Sequence, residues 1–288
     1  MFNYFKQSTN SIKRSKVFNH ITIRKMHVQY IPMRWGTGDN YSYVLTDDTT
    51  KKSWVIDPAE YDEVKPVLYD LIDKKKIELV AIVNTHHHYD HAGGNSALLH
   101  DSYFKKLPII AGKDSPKVSY TPKHNEIIKL GENLEIKAIH TPCHTQDSIC
   151  YFVTDLKTND KCVFTGDTLF TSGCGRFFEG TGEEMNYSLN KLLGGLPNDT
   201  IVYPGHEYTK SNVKFSKSVL GLNNKDLNNL EIFTNKNEFT TGVFTIGDEK
   251  LFNPFMRLND PEIKKIIGSN YENENEIMTK LRDMKNKF

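Results

Sequence analysis

The chain has 288 residues, 38% of them hydrophobic, with 18 Gly and 11 Pro and a mean hydropathy of −0.54, which excludes a disordered or collagen-like polymer and allows one large α/β domain plus a smaller module. A formal net charge of +1 gives no field that would make nucleic acid or a membrane surface the main partner, and no run approaches the ~20 apolar residues of a spanning helix. Four cysteines without CxxC spacing, Cys143, Cys150, Cys162 and Cys174, read as free thiols in a reducing compartment rather than as a disulfide framework.

Residues 1–26 carry Lys6, Lys13, Arg14, Lys16, Arg24 and Lys25, and no acidic residue precedes Asp39. That is the pattern of a transit peptide, so an organelle matrix (mitochondrion or plastid) is expected, with the cytoplasm as the alternative. From Val28, the runs VQYIPM, NYSYVL and SWVIDP predict strands, and apolar spacing over 60–76 predicts a helix. The continuous apolar run LVAIVN at 79–84 reads as a strand buried on both faces. Further strands are predicted at 108–112, 126–130, 134–140, 148–154, 161–165 and 200–203, with a helix around 183–194. Beyond His206 the texture turns helical, at 213–220, 227–233, 263–267 and 274–284. Three segments follow: the basic extension 1–26, a strand-rich domain 27–204 and a helical domain 205–288.

His86, His88, Asp90 and His91 leave the strand at 79–84 and run into Ala92-Gly93-Gly94. Residues two apart face the same side of an extended segment, so His86 and His88 can aim at one metal, and Asp90 and His91 at a neighbouring one. Such a string arises by chance on the order of once in a thousand chains of this composition. His87 and Tyr89 alternate the other way and read as structural. His144 in TPCHT, Asp167 in FTGDT and His206 in YPGHE each follow an apolar strand beside a turn residue, where a rigid scaffold presents ligands. His86, His88 and His144 then make one three-nitrogen site. Asp90, His91 and His206 make another, with Asp167 able to bridge. Imidazole plus carboxylate suits two divalent ions, zinc first, with iron or manganese as alternatives.

On THHHYDHAGGN (85–95), TPCHTQDS (141–148), FTGDTLFTSGCGRFFEGT (164–181), YPGHEYT (203–209) and NPFMR (253–257), the chain resembles the metallo-β-lactamase superfamily and, within it, glyoxalase II, the hydroxyacylglutathione hydrolases. The resemblance runs from about Val28 to the C-terminus. It implies a four-layer αββα sandwich with a C-terminal helical domain, and the same seven metal ligands. It also implies hydrolysis of S-D-lactoylglutathione to D-lactate and glutathione by metal-bound hydroxide at a binuclear site, with Asp90 and Asp167 as catalytic ligands. Substrate contacts map onto Arg176, Phe178, Tyr208 and Arg257. Phe178 stands where the family often has Tyr, and the second C-terminal basic position, three residues past Arg257, holds Asp260, leaving Lys264 or Lys265 to substitute.

The expected partner is a small-molecule glutathione thioester, acted on by a monomer without nucleic acid or membrane. A thiol of pKa about 8.5 leaves with little protonation, which fits the lack of an obvious general acid. The alternative reading is a persulfide dioxygenase on the same fold.

Overall fold

A computed structural model of the chain describes residues 27–268 and 273–288, so the expected transit peptide at 1–26 lies outside the described residues. Strands β1 (His27–Met33), β2 (Asn40–Thr46), β3 (Lys52–Ile56), β4 (Glu78–Val83) and β5 (Ile109–Ile110) pair in chain order into one sheet. The second sheet takes β6 (Ile127–Leu130), β7 (Leu134–His140), β8 (Ile149–Asp155) and β9 (Lys161–Gly166) in succession. A hairpin, β10 (Leu169–Phe170) and β11 (Gly173–Cys174), follows, and β12 (Ile201–Pro204) returns to lie parallel to β9.

Alternation of side chains decides how the sheets stack. Tyr41, Tyr43 and Leu45 of β2 point inward, and so do Ile149, Tyr151 and Val153 of β8 and Cys162 and Phe164 of β9, meeting Trp54 and Ile56 in a central core. The intervening residues point out. Val44, Val55 and Ile82 pack on Val64, Leu68 and Leu71 of α1 (Tyr61–Asp73). On the other side Ile139, Cys150, Val163 and Val202 pack beneath helices. These include α4 (Gly182–Asn186), α5 (Thr209–Leu220) and α9 (Glu274–Asn286), which contribute Met185, Val213, Met278 and Leu281. The expected four layers are therefore present, each large buried side chain contributing roughly 1.5–3 kcal/mol. All four cysteines are buried and free. No helix among the described residues is long and apolar enough to cross a membrane.

The remaining α-helices among the described residues are α2 (Tyr89–Ala92), α3 (Asn95–His100), α6 (Lys225–Lys236), α7 (Ile246–Phe252) and α8 (Pro261–Ile267), with a π-helix at Tyr187–Leu193 continuing α4 and a 3-10 turn at Pro254–Met256. Sequence periodicity missed α2, α3, α7 and the β10–β11 hairpin. α7 starts at a Thr245 cap, reciprocated by Asp248, and carries the fully buried Glu249 on its inner face. Burial pushes the Glu249 carboxyl from 4.5 up to about 8, and the Asp248 charge adds to the rise. The native state thus keeps a proton that the unfolded chain releases between those values. Stability should therefore fall with rising pH across that window, by up to about 1.4 kcal/mol per pH unit. Glu249→Gln cannot ionise. Its melting temperature, relative to the unsubstituted chain, is expected to rise steadily between about pH 5 and pH 8, and parallel melting curves over that range would contradict the assignment.

Candidate metal centre

The site lies where loops leave the C-terminal ends of β4, β7, β9 and β12. Two close approaches bring those loops together. Gly166, at φ +47, sits where a Cβ would come within 2.4 Å of Thr85 Oγ1, and at Gly205 a Cβ would come within 2.4 Å of Asp167 Oδ1. Any larger residue there would push the loops apart.

The structure brings His86, His88, Asp90, His91, His144, Asp167 and His206 into one cluster. His88 Nδ1 lies 3.1 Å from both His86 Nε2 and His144 Nε2. His91 Nε2 and His206 Nε2 are 3.2 Å apart, with Asp90 Oδ2 3.5 Å from His206 Nε2. Asp167 lies between the two groups: Oδ1 is 3.3 Å from His91 Nε2, and Oδ2 is 3.4 Å from both His144 Nε2 and His206 Nε2. Ligand atoms of His86, His88 and His144, and of Asp90, His91 and His206, fall within 4.8 Å of one another in each set. As expected from the alternation, His87 turns away, with Nδ1 2.8 Å from Asp147 Oδ1, and Tyr89 is exposed.

The outward ring atoms settle which nitrogens are free. His91 Nδ1 is 3.0 Å from Asp57 Oδ2, His144 Nδ1 2.9 Å from Arg176 O and His206 Nδ1 2.8 Å from Gly38 O. A carbonyl or carboxylate there accepts the outer ring N–H, so the inner nitrogen is the one turned to meet a cation. Burial first, and neighbouring rings second, hold His86 and His88 below the usual imidazole range, and burial does the same to His144. Burial alone would raise Asp167, but His206 and His91 hold it well below the usual carboxylate range. Its buried Oδ1 has no hydrogen bond, only the His91 ring 3.3 Å away. Burial would lower His91, but Asp167 and Asp57 raise it well above the usual imidazole range, so a cation held there would take the place of that ring's inner proton. Five imidazoles crowded around an ionised carboxylate fit a pair of divalent cations.

Asp57 anchors this arrangement, because it also accepts from Thr85 N and Thr85 Oγ1 at 2.7 Å. Asp57→Ala is expected to weaken metal binding by about 10- to 100-fold, read by competition against a chelator. An unchanged metal affinity would mean that the His91 orientation is set elsewhere.

The cluster floors a cavity of about 420 Å³. Three sequence-predicted contacts line it. Phe178 sets its ring edge-on to His88 and His144 at 5.6 and 5.3 Å, the Arg176 guanidinium lies 5.2 Å over Phe178, and Tyr208 stacks on His206 at 4.5 Å. Arg257 does not reach the cavity, which corrects the expectation for that residue. Its guanidinium is held by Asp260 Oδ2 at 2.6 and 3.1 Å and by the carbonyls of Lys250 and Leu251, and it lines a separate hollow with Lys191 and Glu274. Lys264 and Lys265 sit exposed on α8, away from the cavity. Besides Arg176, the cations that line it are Arg282 and Lys285 of α9. They were detectable in principle as basic residues one turn apart within the apolar stripe of Met278 and Leu281.

Two family patterns match the chain: the Metallo-beta-lactamase superfamily over residues 35–206 and the Hydroxyacylglutathione hydrolase C-terminus over residues 207–288. A probable hydroxyacylglutathione hydrolase of Schizosaccharomyces pombe is 54% identical over 260 residues, 90% of this chain and 98% of that protein. The cytoplasmic isozyme of hydroxyacylglutathione hydrolase from Saccharomyces cerevisiae is 52% identical, covering 91% of this chain and 100% of that protein. The mitochondrial enzyme of the same yeast is 47% identical, covering 92% and 97%. Among solved structures, ETHE1 from Myxococcus xanthus superposes with a TM-score of 0.63 at 23% identity over 90% of both chains, a likeness of fold.

Proposed function

Because the chain belongs to the hydroxyacylglutathione hydrolases, the glyoxalase II family of the metallo-β-lactamase superfamily, we propose that it hydrolyses S-D-lactoylglutathione to D-lactate and glutathione. It is a thioester hydrolase of a fold that binds divalent metal. One observation carries the substrate reading: the cavity has the His/Asp cluster as its floor and the cations Arg176, Arg282 and Lys285 in its walls. Glutathione carries two carboxylates, and its acyl group hangs from the sulfur between them. A cavity with cations in its walls and a metal cluster at its base therefore matches the ligand's charge layout.

We assign the metals to His86, His88 and His144 on one side and Asp90, His91 and His206 on the other, with Asp167 between, and take zinc as the native ion. Bound there, divalent ions supply Lewis acidity and bring the pKa of water from 15.7 to about 7. The protein's own groups do the rest. Arg176, Arg282 and Lys285 pair with the substrate carboxylates by charge-assisted hydrogen bonds, and Phe178 and Tyr208 confine the thioester between their rings. The Asp90 carboxyl, lowered against its burial mainly by His91, stays ionised and accepts a hydrogen bond from the attacking water. The thiolate departs without a general acid, since its conjugate thiol has a pKa near 8.5.

On this reading residues 27–204 hold every metal ligand but His206 and supply Arg176 and Phe178 to the cavity, and residues 205–288 add His206, Tyr208, Arg282 and Lys285. The relatives include cytoplasmic and mitochondrial isozymes. For this chain we favour an organelle matrix on the composition of residues 1–26, to be checked by imaging fluorescent fusions with and without that segment. The deciding assay is turnover of S-D-lactoylglutathione with metal content per chain, before and after chelation. Oxygen uptake on glutathione persulfide without thioester turnover would instead establish the dioxygenase.

A further inference from the structure

The NPFMR segment lies away from the cavity, yet its first residue belongs to a buried polar node. The turn between β10 and β11 places Ser172 at φ +60, a left-handed conformation that costs energy for a residue with a Cβ. Side chains of the helical domain grip this turn by its backbone. Asn212 Nδ2 donates to Thr171 O at 3.0 Å, and Ser216 Oγ to Ser172 O at 3.1 Å. Ser172 N donates to Glu249 Oε2 at 2.9 Å. Asn253 Nδ2 donates to Gly173 O at 3.1 Å and to Glu249 Oε2 at 2.9 Å. All four side chains belong to residues that are 0–1% exposed. Burying that many polar groups is costly, the more so as Glu249 Oε1 has no hydrogen-bond partner, and apolar residues would have docked the domain at lower cost. The arrangement therefore specifies one backbone position rather than mere adhesion.

That position matters for the cavity. Phe170 on β10 meets the Tyr208 ring edge-on at 5.4 Å, and the chain beyond β11 runs straight into Arg176 and Phe178, with Arg176 O accepting from the His144 ring. We propose that Glu249 and Asn253 are positioning residues for ligand binding, holding the β10–β11 turn so that Phe170, Arg176 and Phe178 line the cavity in register with Arg282 and Lys285. This rests on the substrate reading given above. The neutral state of Glu249, pushed up to about 8 by burial, suits the role, since Gln in its place would keep the accepting oxygen.

The test uses the metal-loaded full chain and S-methylglutathione, a thioether that cannot be hydrolysed, beside S-D-lactoylglutathione turnover. Glu249→Ala and Asn253→Ala are expected to weaken S-methylglutathione binding and raise KM by about tenfold, the equivalent of one or two lost buried hydrogen bonds. Metal content and kcat should hold, and Ser172 amide exchange should speed up. Glu249→Gln should restore both constants. Should Glu249→Ala fail to fold, Ser216→Ala, which removes only Oγ, should show the same split at about two- to threefold. Folded Ala variants with unchanged KM and S-methylglutathione affinity would overturn the proposal, as would a Gln variant as impaired as Ala. An unsubstituted chain that neither binds S-methylglutathione nor turns over the thioester would instead refute the substrate reading, and this proposal with it.

Discussion

Asp167→Ala is expected to lose bound metal and thioester turnover together, with kcat/KM falling by on the order of 10⁴-fold or more. Its two oxygens are the only carboxylate atoms in the cluster that approach three different imidazoles, at 3.3 to 3.4 Å. His88→Ala removes one of three nitrogens from one group, so it should act in the same direction with residual metal in the other. Asp167→Ala weakens both groups at once and leaves the His91 Nε2 atom facing the His206 ring without a carboxylate between them. Metal analysis per chain, steady-state kinetics and a far-ultraviolet spectrum to confirm folding decide the matter. A variant that turns over at the native rate without metal would remove the basis of the assignment.

The second large effect separates cations that sequence motifs could not. Lys285→Ala should raise KM by about 10- to 100-fold with kcat nearly unchanged, the value of one charge-assisted hydrogen bond. Arg257→Ala should leave KM within about twofold, because its guanidinium is committed to Asp260 and two carbonyls. Burial first and the Arg282 charge second lower Lys285 to about 8. The ammonium is present below that value and lost above it, so KM should climb as pH rises past about 8 and stay flat over the same range in Lys285→Ala. If instead Arg257→Ala carries the KM increase, the cavity has been assigned to the wrong end of the helical domain.

The metal cluster was legible because its chemistry follows from one-dimensional order. His86 and His88 sit two apart on an extended exit, and His144, Asp167 and His206 each follow an apolar strand at a turn residue. A sandwich whose strands end on one rim then brings them together. Arg282 and Lys285 were not legible in that way. They lie some 80 residues beyond His206 on the stripe of Met278 and Leu281, which marks a buried face of the helix but no cavity, and the packing of α9 against α4 brings them to it. NPFMR drew attention to Arg257 as a binding group, whereas Asn253 at its start does the structural work and Arg257 closes a local loop. α7 was missed because Glu249 interrupts the apolar stripe of its inner face, and the β10–β11 hairpin because two-residue strands leave too little pattern to read.

The loops after β4 supply His86, His88, Asp90 and His91 from one sheet, and those after β7, β9 and β12 supply His144, Asp167 and His206 from the other. Divalent cations held between them would act as rivets across the rim of the sandwich, adding to the free energy of folding with the logarithm of the free metal concentration once it exceeds the dissociation constant. In a cell short of divalent metal this chain would fray first along that edge, opening strand ends to proteolysis. Its abundance, and not only its turnover, would then track the supply of metal.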